Sequence, residues 1–429
     1  MDCYGDEREA LTDFERFYNN PQLSDVTLAV GDDSFYAHKL ILIKSSEVFE
    51  RMLSQQWSGE NKKEVELVED RLCIRVFPAF LRFLYTSHIV LHYDNTLPVL
   101  ILADKYNVVS LRKVCLNYAM DNIIPNLPQK EVFHVWYQYG TKCFHQGLIQ
   151  ACISVLSQNF QEIITSSEWE REWLSLDRDQ LAELLKSSDL YVANEHEIWQ
   201  ALVKWIQAAS HPERQGSVLE KNLNQLVPLV RFPLMTPDEL TSVERSTLVE
   251  KCPKVFNPQL MLAYKFNSLP LATRSSMKEF SGQQFMLRNY TEMRWDKRLE
   301  IPNFASIPRF TEVTLRLTTR ACAFPQQSWD WELKIHPKGY SQNQDEFRAH
   351  LLASNLVLDQ TRAIEYLLSI VDDRRIIKSV SGRKNFSKTR YSVDMEVEKK
   401  ISLDELLCNN SQLITDDSLL LQLTLRPID

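Results

Sequence analysis

The sequence predicts a multidomain α+β protein: a region of mixed sheet and helices, an all-α helical region, and a C-terminal all-β sandwich. At 429 residues the chain is too long for one hydrophobic core and fits two or three domains of ordinary size. The period of its apolar residues changes along the chain, being mixed at first, then helical, then alternating as in strands. A hydrophobic content of 44% with 25% charged residues is that of a globular protein.

The net charge and the N-terminus limit the classes of partner. A formal charge of −8 provides no broad positive field, so nucleic acid and membranes are not expected as partners. The stretch MDCYGDEREA lacks the basic and apolar parts of a signal peptide, and no apolar run long enough to span a bilayer follows. We therefore expect a cytoplasmic protein, with the nucleus as a second location; secretion would require a signal peptide upstream of this sequence.

The eight cysteines indicate a reducing compartment. They stand singly, mostly in apolar segments, with neither a CxxC motif nor a paired spacing, which is typical of free core thiols. Cys143 with His145 comes nearest to a metal cluster, but no second and third ligands stand at a workable spacing. We therefore predict a helical core cysteine beside a surface histidine, and no metal site.

Motifs for catalysis are missing from the sequence. None of its nine glycines belongs to a GxGxxG or GxxxxGK[ST] phosphate loop, and neither HExxH nor GxSxG occurs. Nothing in the sequence supports a catalytic triad assembled from distant positions. The prediction is a protein that is not an enzyme, with no catalytic residues and no cofactor.

The first region, residues 6–125, opens with a segment that predicts an amphipathic helix. In EREALTDFERFY, Leu11, Phe14 and Tyr18 lie at helical spacing, with nothing before them to pack on. Burying this stripe on a neighbouring subunit would remove apolar surface from water. The three residues are therefore candidate dimerisation contacts.

The elements that follow alternate between strand and helix signals. DVTLAV and SFYAH, joined at GDD, predict a hairpin. LILIKSSEVFERML predicts two helices separated near Ser45 and Ser46, where a hydroxyl can cap the second helix. EVELV predicts a strand, CIRVFPAFLRFLYTS a helix broken or kinked by Pro78, HIVLHY a strand, and LPVLILADKYNV and SLRKVCLNYAMDNI two further helices.

Four stretches of this region carry a family resemblance: DVTLAV, AHKLILIKSSEVFERML, FLRFLYTSHIVL and LILADKYNVVSLRKVC. Together with the order of elements, they resemble a BTB (POZ) domain, which is a mostly homodimeric interaction module. The resemblance implies that the chain forms a homodimer. It also implies structural roles for Asp25, which caps the edge of the sheet, and for His38, which sits in a buried polar centre.

The second region, residues 126–268, has apolar residues at helical spacing throughout. Ile198, Leu202 and Trp205, for example, form one core stripe. LYVANEHEIWQALVKWI followed by LVPLVRFPLMTPDEL resembles the BACK domain, which usually acts as a spacer and orienting arm. NFQEIITSSEW and VFNPQLMLAYKFNSL are similar to the BTB–BACK portion of galectin-3-binding protein and its relatives.

Residues 269–285 lose both periodicities and gather Ser, Thr and charge, which predicts a linker. The third region, residues 286–429, predicts a β-sandwich from six alternating stretches: TEVTLRLTT, WDWELKIHP, FRAHLLASNLVL, IEYLLSIVDD, YSVDMEVEKKI and LLLQLTLRP. WDWELKIHPKGY before FRAHLLA, and the final KKISLDELLCNNSQLITDDSLLLQLTLR, resemble a MATH (TRAF-like) domain. The resemblance implies binding of short extended peptides along a strand edge.

Two departures from that family pattern leave peptide binding open. An opening strand is not evident before Thr311, and VDMEVEK stands where an aromatic Trp-Gly-Phe stretch is expected. Within this region, residues 372–390 carry seven Lys or Arg against two Asp. They predict either a contact for an acidic peptide or phosphate, or a solvated hairpin whose charges protect a sheet edge.

The loop within FERMLSQQWSGENKKEVEL, residues 49–67, bears on a further partner. In many BTB–BACK adaptors an apolar residue and a glutamate two positions later contact a cullin scaffold from this loop. Trp57 takes the apolar place, and Glu60 lies one position late for the acidic one. The resemblance makes these two candidate cullin-docking residues. The alternative is that Trp57 covers the preceding helix and Glu60 is solvated.

These observations predict a non-catalytic protein–protein interaction adaptor that forms a homodimer through its BTB domain. The resemblance implies a substrate-recognition subunit of a cullin-RING ubiquitin ligase, whose C-terminal domain recognises an unknown protein. The alternative is a scaffold, or an interaction protein like galectin-3-binding protein, that works without a cullin.

Overall fold

In the computed structural model, the described residues are 13–54, 63–320, 328–354, 361–387 and 389–428. The chain forms two compact units, Met1–Val155 and Leu156–Asp429. Among the described residues, no helix combines the length and the apolar character needed to cross a bilayer.

Three strands form the sheet of the first unit, in the order β2–β1–β3. β1 (Val26–Val30) and β2 (Asp33–Ala37) are an antiparallel hairpin, and β3 (Glu64–Leu67) pairs with β1 in parallel. Every second residue of β1 is buried, because side chains alternate between the two faces of a strand. The hairpin and the strand predicted from the sequence are confirmed.

Helices make up most of the rest of the first unit. Between the first two, the Ser46 hydroxyl accepts a 3.1 Å hydrogen bond from the Phe49 N–H, which confirms the predicted split and cap. The third continues through Pro78 as one helix, so the predicted break does not occur. The helices are α1 (Lys39–Ser45), α2 (Glu47–Leu53), α3 (Arg71–Thr86), α4 (Tyr93–Lys105), α5 (Val109–Tyr118), α6 (Gln129–Glu131), α7 (Gln138–Cys143) and α8 (Gln146–Ser157), with π-helical turns at Ala119–Ile123 and Val132–Tyr137.

Two predicted elements of the first region differ from the structure. The described part of the N-terminal segment contains a single 3-10 turn, Glu15–Phe17, in place of an α-helix. Residues 88–92 of the predicted strand HIVLHY are not in a strand. The N–H of His92 donates to Asn95 Oδ1 at 2.8 Å, so the end of this segment is used to begin α4.

The second unit begins with helices around an aromatic core. Trp173 and Trp205 are buried, and each donates its indole N–H to a backbone carbonyl at 3.0 Å. The predicted stripe of Ile198, Leu202 and Trp205 is buried as expected. The helices are α9 (Phe160–Thr165), α10 (Glu170–Ser175), α11 (Arg178–Lys186), α12 (Glu195–Ile206), α13 (Leu219–Leu226), α14 (Pro237–Glu244), α15 (Thr247–Lys251), α16 (Pro253–Ser268) and α17 (Leu271–Ser276).

A β-sandwich of two four-stranded antiparallel sheets follows, in the orders β11–β10–β13–β6 and β12–β9–β8–β7. This confirms the predicted all-β region and the multidomain α+β class. The strands are β6 (Asp296–Ile301), β7 (Val313–Arg320), β8 (Ser328–His336), β9 (Arg348–Ala353), β10 (Arg362–Val371), β11 (Ile376–Phe386), β12 (Ser392–Asp394) and β13 (Leu419–Ile428), with helix α18 (Leu403–Leu407) before the last.

The sandwich contains an opening strand that the sequence analysis did not find. β6 pairs with β13 along six residues, although its sequence DKRLEI is mostly charged. Only Leu299 and Ile301 of β6 are buried, and two apolar residues are too few to show a period of two. A shorter strand pair also lies outside the sandwich, where β4 (Tyr191–Val192) and β5 (Asn289–Tyr290) are parallel.

The segment 269–285, expected to be a linker, is folded in the structure. α17 and two 3-10 turns occupy most of it, and Leu271, Phe280 and Phe285 are buried. The rings of Phe280 and Phe285 lie 5.1 Å apart, centroid to centroid, and both contact Phe266 at the end of α16. The absence of periodicity therefore reflects short helical turns around an aromatic cluster rather than a free connection. The other domain boundaries remain predictions.

Candidate functional site

Of the five residues proposed for docking and dimerisation, the structure describes two, Phe14 and Tyr18. Trp57, Glu60 and Leu11 lie outside the described residues. Phe14 is 42% exposed. Tyr18 belongs to its own domain, because its hydroxyl donates to the carbonyl of Pro78 at 3.0 Å and its ring packs edge-on against an aromatic residue of the same helix. Of the two described candidates, Phe14 is the one with a largely exposed ring, and its role in dimerisation stays a prediction.

A polar centre behind the hairpin connects His38 with Tyr85. The Tyr85 hydroxyl accepts from the His38 backbone N–H at 3.1 Å and lies 2.9 Å from His38 Nδ1. Burial raises the pKa of Tyr85 to about 12, so its proton is available to Nδ1, and Nε2–H then donates to the Gln22 carbonyl at 2.9 Å. The structural role expected for His38 fits this chain of bonds. Asp25 differs from expectation, since its carboxylate accepts from the Lys39 N–H at 2.7 Å and caps α1 rather than the sheet.

A second polar cluster in the first unit surrounds Asp104, near the end of α4. One carboxylate oxygen, Oδ2, accepts from the Tyr139 hydroxyl and lies 2.7 Å from His145 Nε2, while Oδ1 lies 3.4 Å from an Arg112 nitrogen. Cys143 completes the cluster: its Sγ, His145 and an Asp104 oxygen lie within 4.8 Å of one another. The sequence offered no further ligands at a workable spacing for Cys143 and His145, and it predicted a surface histidine, whereas the His145 side chain is only 12% exposed. Asp104 stands 39 positions before Cys143, and no local spacing reveals it.

Burial is the main cause of the raised pKa values of two members of that cluster, Cys143 and Tyr139. Burial, followed by the Asp104 carboxylate, raises the pKa of Cys143. The same two causes, with the hydrogen bond to Asp104, raise the pKa of Tyr139. Both groups are therefore protonated near neutral pH. The Asp104 carboxylate faces the Tyr139 hydroxyl, the His145 imidazole and the Arg112 guanidinium group, with the Cys143 thiol nearby.

In the second unit, a buried ionic network joins the helical region to the sandwich. Glu195, in the first turn of α12, accepts at Oε1 from Arg288 Nε and from the Tyr290 hydroxyl, both at 2.7 Å. Its other oxygen accepts from the Arg231 N–H at 3.0 Å. The Arg231 side chain reaches the Met286 carbonyl at 2.8 Å. Residues from the helices and from the segment that leads into the sandwich thus share one carboxylate.

Burial and the neighbouring charges shift the pKa values of the ionisable groups in this network. Burial alone would favour the neutral acid, but the Arg288 and Arg231 guanidinium groups hold the pKa of Glu195 below its ordinary value. Burial, reinforced by Arg288, lowers the pKa of Arg231 to about 9. Both Glu195 and Arg231 are thus ionised at neutral pH. A buried charge is tolerable only when it is paired and hydrogen-bonded, and this network meets both conditions.

One face of the sandwich is covered by the same helical region. We call the β11–β10–β13–β6 sheet the first sheet of the sandwich and the β12–β9–β8–β7 sheet the second. On the outward side of the first sheet, Ser369 and Gln422 are buried. Gln422 binds the backbone of the folded 269–287 segment at both ends of its amide, accepting from the Leu287 N–H and donating to the Phe285 carbonyl. The part of this face around Ser369 and Gln422 is therefore covered by the chain itself.

The second sheet has a long free edge beside a cleft. Among the described residues, β7 pairs only with β8, so its other edge presents unpaired N–H and C=O groups. A cleft of about 580 Å³ lies between the start of β6 and this edge. Its lining includes two apolar residues, Leu317 and Trp331, and charged residues of both signs: Lys297, Arg316, Asp330 and Glu332.

The basic stretch 372–390 forms much of β11, the edge strand of the covered sheet. Lys384 lies 2.6 Å from a carboxylate oxygen of Glu396, and Lys378 is paired with Glu405. Two of its cations thus already have acidic partners inside the sandwich. These contacts favour the solvated edge over the alternative of an acidic-peptide or phosphate contact, and the choice between them stays a prediction.

Comparison with known protein families gives three successive matches. A model of the BTB/POZ domain matches residues 14–123. A model described as "BTB And C-terminal Kelch", the BACK domain, matches residues 133–245. A third, described as the BTBD17 TRAF domain, matches residues 285–347.

Two curated relatives have similar sequences over about two thirds of the chain. BTB/POZ domain-containing protein 17 of Mus musculus is 29% identical over 301 residues, which are 68% of this chain and 59% of that protein. Galectin-3-binding protein of Rattus norvegicus is 26% identical over 312 residues, 70% of this chain and 50% of that protein. This chain thus spans between half and three fifths of the length of these two relatives. Among solved structures, the BTB domain of zebrafish PATZ1 is 28% identical and covers 27% of this chain and 96% of that structure, with a TM-score of 0.23.

Proposed function

Because this chain is a BTB–BACK protein with a C-terminal TRAF-like domain, we propose that it acts as a homodimeric adaptor that presents a bound protein to a cullin-RING ubiquitin ligase. The BTB and BACK domains indicate a protein-interaction adaptor. The proposed role in a ubiquitin ligase requires three further properties of such an adaptor: self-association, recognition of a target by the sandwich, and docking on a cullin.

The observation that carries the proposal is the difference between the two sheets of the sandwich. The first sheet is held against the helical region by Gln422 and by the buried network around Glu195. In the second sheet, among the described residues, β7 pairs only with β8 and leaves its other edge open. A receptor domain whose one face is held by its own chain offers a bound target in a defined orientation relative to the helical region of the second unit.

An extended polypeptide segment is the ligand that suits this open edge. A peptide strand can pair with the unpaired backbone groups of β7, and its side chains at alternate positions can enter the neighbouring cleft. Arg316 and Lys297 would meet acidic residues of such a peptide, and Glu332 and Asp330 basic ones. Binding of extended peptides at a strand edge is also what the MATH resemblance implies.

Cullin docking is the step that rests on the family resemblance. It assigns Trp57 to an apolar pocket of the cullin and Glu60 to nearby hydrogen-bond donors. The alternative function, a scaffold or an interaction protein like galectin-3-binding protein, shares self-association and target binding but needs no cullin. The 26% identity to that protein supports keeping this second candidate.

Affinity purification of the full-length chain from cells separates the two candidates. Recovery of a cullin together with other proteins is expected for the ligase adaptor, and recovery of other proteins alone would leave the scaffold. Arg316→Glu, at a side chain 81% exposed, should remove the target proteins. Arg309→Glu, in an exposed ion pair elsewhere on the sandwich, should retain them. Equal recovery with both variants would exclude the cleft as the target site.

A further inference from the structure

We propose that Asp104, Cys143 and His145 form a binding site for one zinc ion in the first unit. The three side chains offer a carboxylate, a thiolate and an imidazole, all of which are common zinc ligands. Their ligand atoms lie within 4.8 Å of one another. Neighbouring ligand atoms in a tetrahedral zinc site are about 3.3 to 3.7 Å apart, from the usual bond lengths, so only small side-chain movements are needed.

The backbone around Cys143 explains why it and His145 point to the same place. α7 ends at Cys143, and Phe144 then adopts a left-handed conformation with φ of +58°. The N–H of His145 returns to the carbonyl of Gly140 at 2.9 Å, which closes the helix end. α8 begins at the next residue. The two side chains thus flank a rigid turn rather than a flexible loop.

Asp104 approaches this turn from α4 and is already oriented. Arg112 on α5 lies 3.4 Å from its Oδ1, while Oδ2 faces His145 Nε2 at 2.7 Å. Carboxylates that bind metal ions are commonly hydrogen-bonded to a neighbouring group in this way. The side chains of Asp104 and His145 are 17% and 12% exposed, so the site is enclosed yet reachable from solvent.

The donor set selects the class of metal. A sulfur and an imidazole nitrogen favour zinc and other borderline or soft ions over magnesium and calcium, which prefer oxygen. On binding, the Cys143 S–H bond breaks, its proton passes to solvent, and the sulfur–zinc bond forms. His145 coordinates through Nε2, so its remaining hydrogen moves to Nδ1. The fourth position would be taken by a water molecule from solvent or by the oxygen of Tyr139, which contacts the same carboxylate.

The consequence for the fold is a cross-link between distant parts of the first unit. A bound ion would tie α4 to the α7–α8 turn, 39 positions later in the chain. The ion would therefore stabilise the first unit wherever free zinc exceeds the dissociation constant. Without an ion, the same residues form a hydrogen-bonded cluster, which is the competing account.

The test uses the full-length chain, stripped with a chelator and dialysed against Zn²⁺ or Co²⁺ at micromolar concentration. Elemental analysis should find one equivalent of zinc in the wild type that is missing from Cys143→Ser. The cobalt form of the wild type should show a thiolate charge-transfer band that this variant lacks. Cys252→Ser, at another half-buried free thiol, should change neither. Far-ultraviolet circular dichroism checks that each variant is folded.

A second variant keeps the outcome decisive if Cys143→Ser does not fold. His145→Gln retains a hydrogen-bonding group beside Asp104 but removes the imidazole, and should weaken zinc binding at least tenfold. Wild-type protein that takes up no zinc, or a folded Cys143→Ser or His145→Gln variant that keeps the wild-type affinity, overturns the proposal and leaves the hydrogen-bonded cluster.

Discussion

Arg288 and Glu195 form an ion pair of 2.7 Å in which neither side chain has any exposed surface. The two residues come from different parts of the second unit, Glu195 from α12 and Arg288 from the segment that leads into the sandwich. Tyr290 and Arg231 share the carboxylate with Arg288. The ion pair is therefore the centre of the junction on which a fixed sandwich depends.

Replacing Glu195 with glutamine should destabilise the second unit strongly. Glutamine has nearly the same shape but leaves Arg288 and Arg231 buried without a counter-charge, which typically costs about 3 to 5 kcal/mol. The unfolding midpoint should fall by on the order of 10 °C, measured by calorimetry. Glu279→Gln is the control, because the pair of Glu279 with Lys265 is nearly half exposed on both sides and such pairs contribute about 1 kcal/mol or less. Equal shifts in the two variants would contradict the assigned role.

The same carboxylate predicts a dependence of stability on pH. The pKa of Glu195 is lowered in the folded chain, so its contribution is present above the unfolded value of about 4.3 and is lost as the pH falls through the lower folded value. Urea unfolding at a series of pH values should show the free energy of unfolding declining below about pH 4.3. The decline should be shallower in Glu195→Gln, and parallel curves for the two proteins would argue against this shift.

Phe280 should keep residues 269–285 protected from proteases. It is 4% exposed and packs against Phe266 and Phe285, so Phe280→Ala should cost about 3 to 5 kcal/mol and open the segment. Limited proteolysis of the wild type should spare residues 271–285, and the variant should be cut there. Met261→Ala, at a residue 75% exposed on α16, should leave the pattern unchanged. First cuts within 271–285 in the wild type would restore the linker predicted from the sequence.

Substitutions at Phe14 and Tyr18 should affect dimerisation and stability separately. Phe14→Asp places a charge on an exposed apolar residue and should weaken the proposed dimer, which light scattering would detect as a shift from twice 50.2 kDa toward the monomer. Tyr18→Phe removes the hydrogen bond to Pro78 and should lower stability by about 0.5 to 1.5 kcal/mol while leaving the dimer intact. A wild-type chain that is monomeric at micromolar concentration would refute self-association.

Trp57→Ala tests the cullin step. If Trp57 is a docking anchor, the substitution should abolish cullin capture with little effect on the fold, because buried interface tryptophans typically contribute about 2 kcal/mol or more to binding. If it covers the preceding helix, the melting temperature should fall by several degrees for a loss of about 1 to 3 kcal/mol. Glu60→Ala should reduce affinity alone if the carboxylate contacts the cullin. No cullin binding by the wild type at tens of micromolar in calorimetry would end this part of the proposal.

Regular periodicity was sufficient to predict most elements from the sequence. The β1–β2 hairpin and β8, which alternates from Trp329 to Ile335, each have an apolar face, and so does helix α12. β6 was not predicted because charged residues occupy most of it. HIVLHY was wrongly predicted as a strand because an apolar run resembles one in sequence. In the structure Val90 is 69% exposed, and the described sheet offers this segment no partner strand.

The order of the three regions, their classes and the family resemblances could be read from the sequence, because local period and motif depend only on neighbouring residues. The contacts that matter most were decided by the tertiary structure. Asp104 meets His145 across 41 positions and Glu195 meets Arg288 across 93, and no spacing in the sequence encodes such a distance. A charged residue looks the same in sequence whether it is solvated or buried against a partner, and only the packing of the surrounding helices and strands makes that choice.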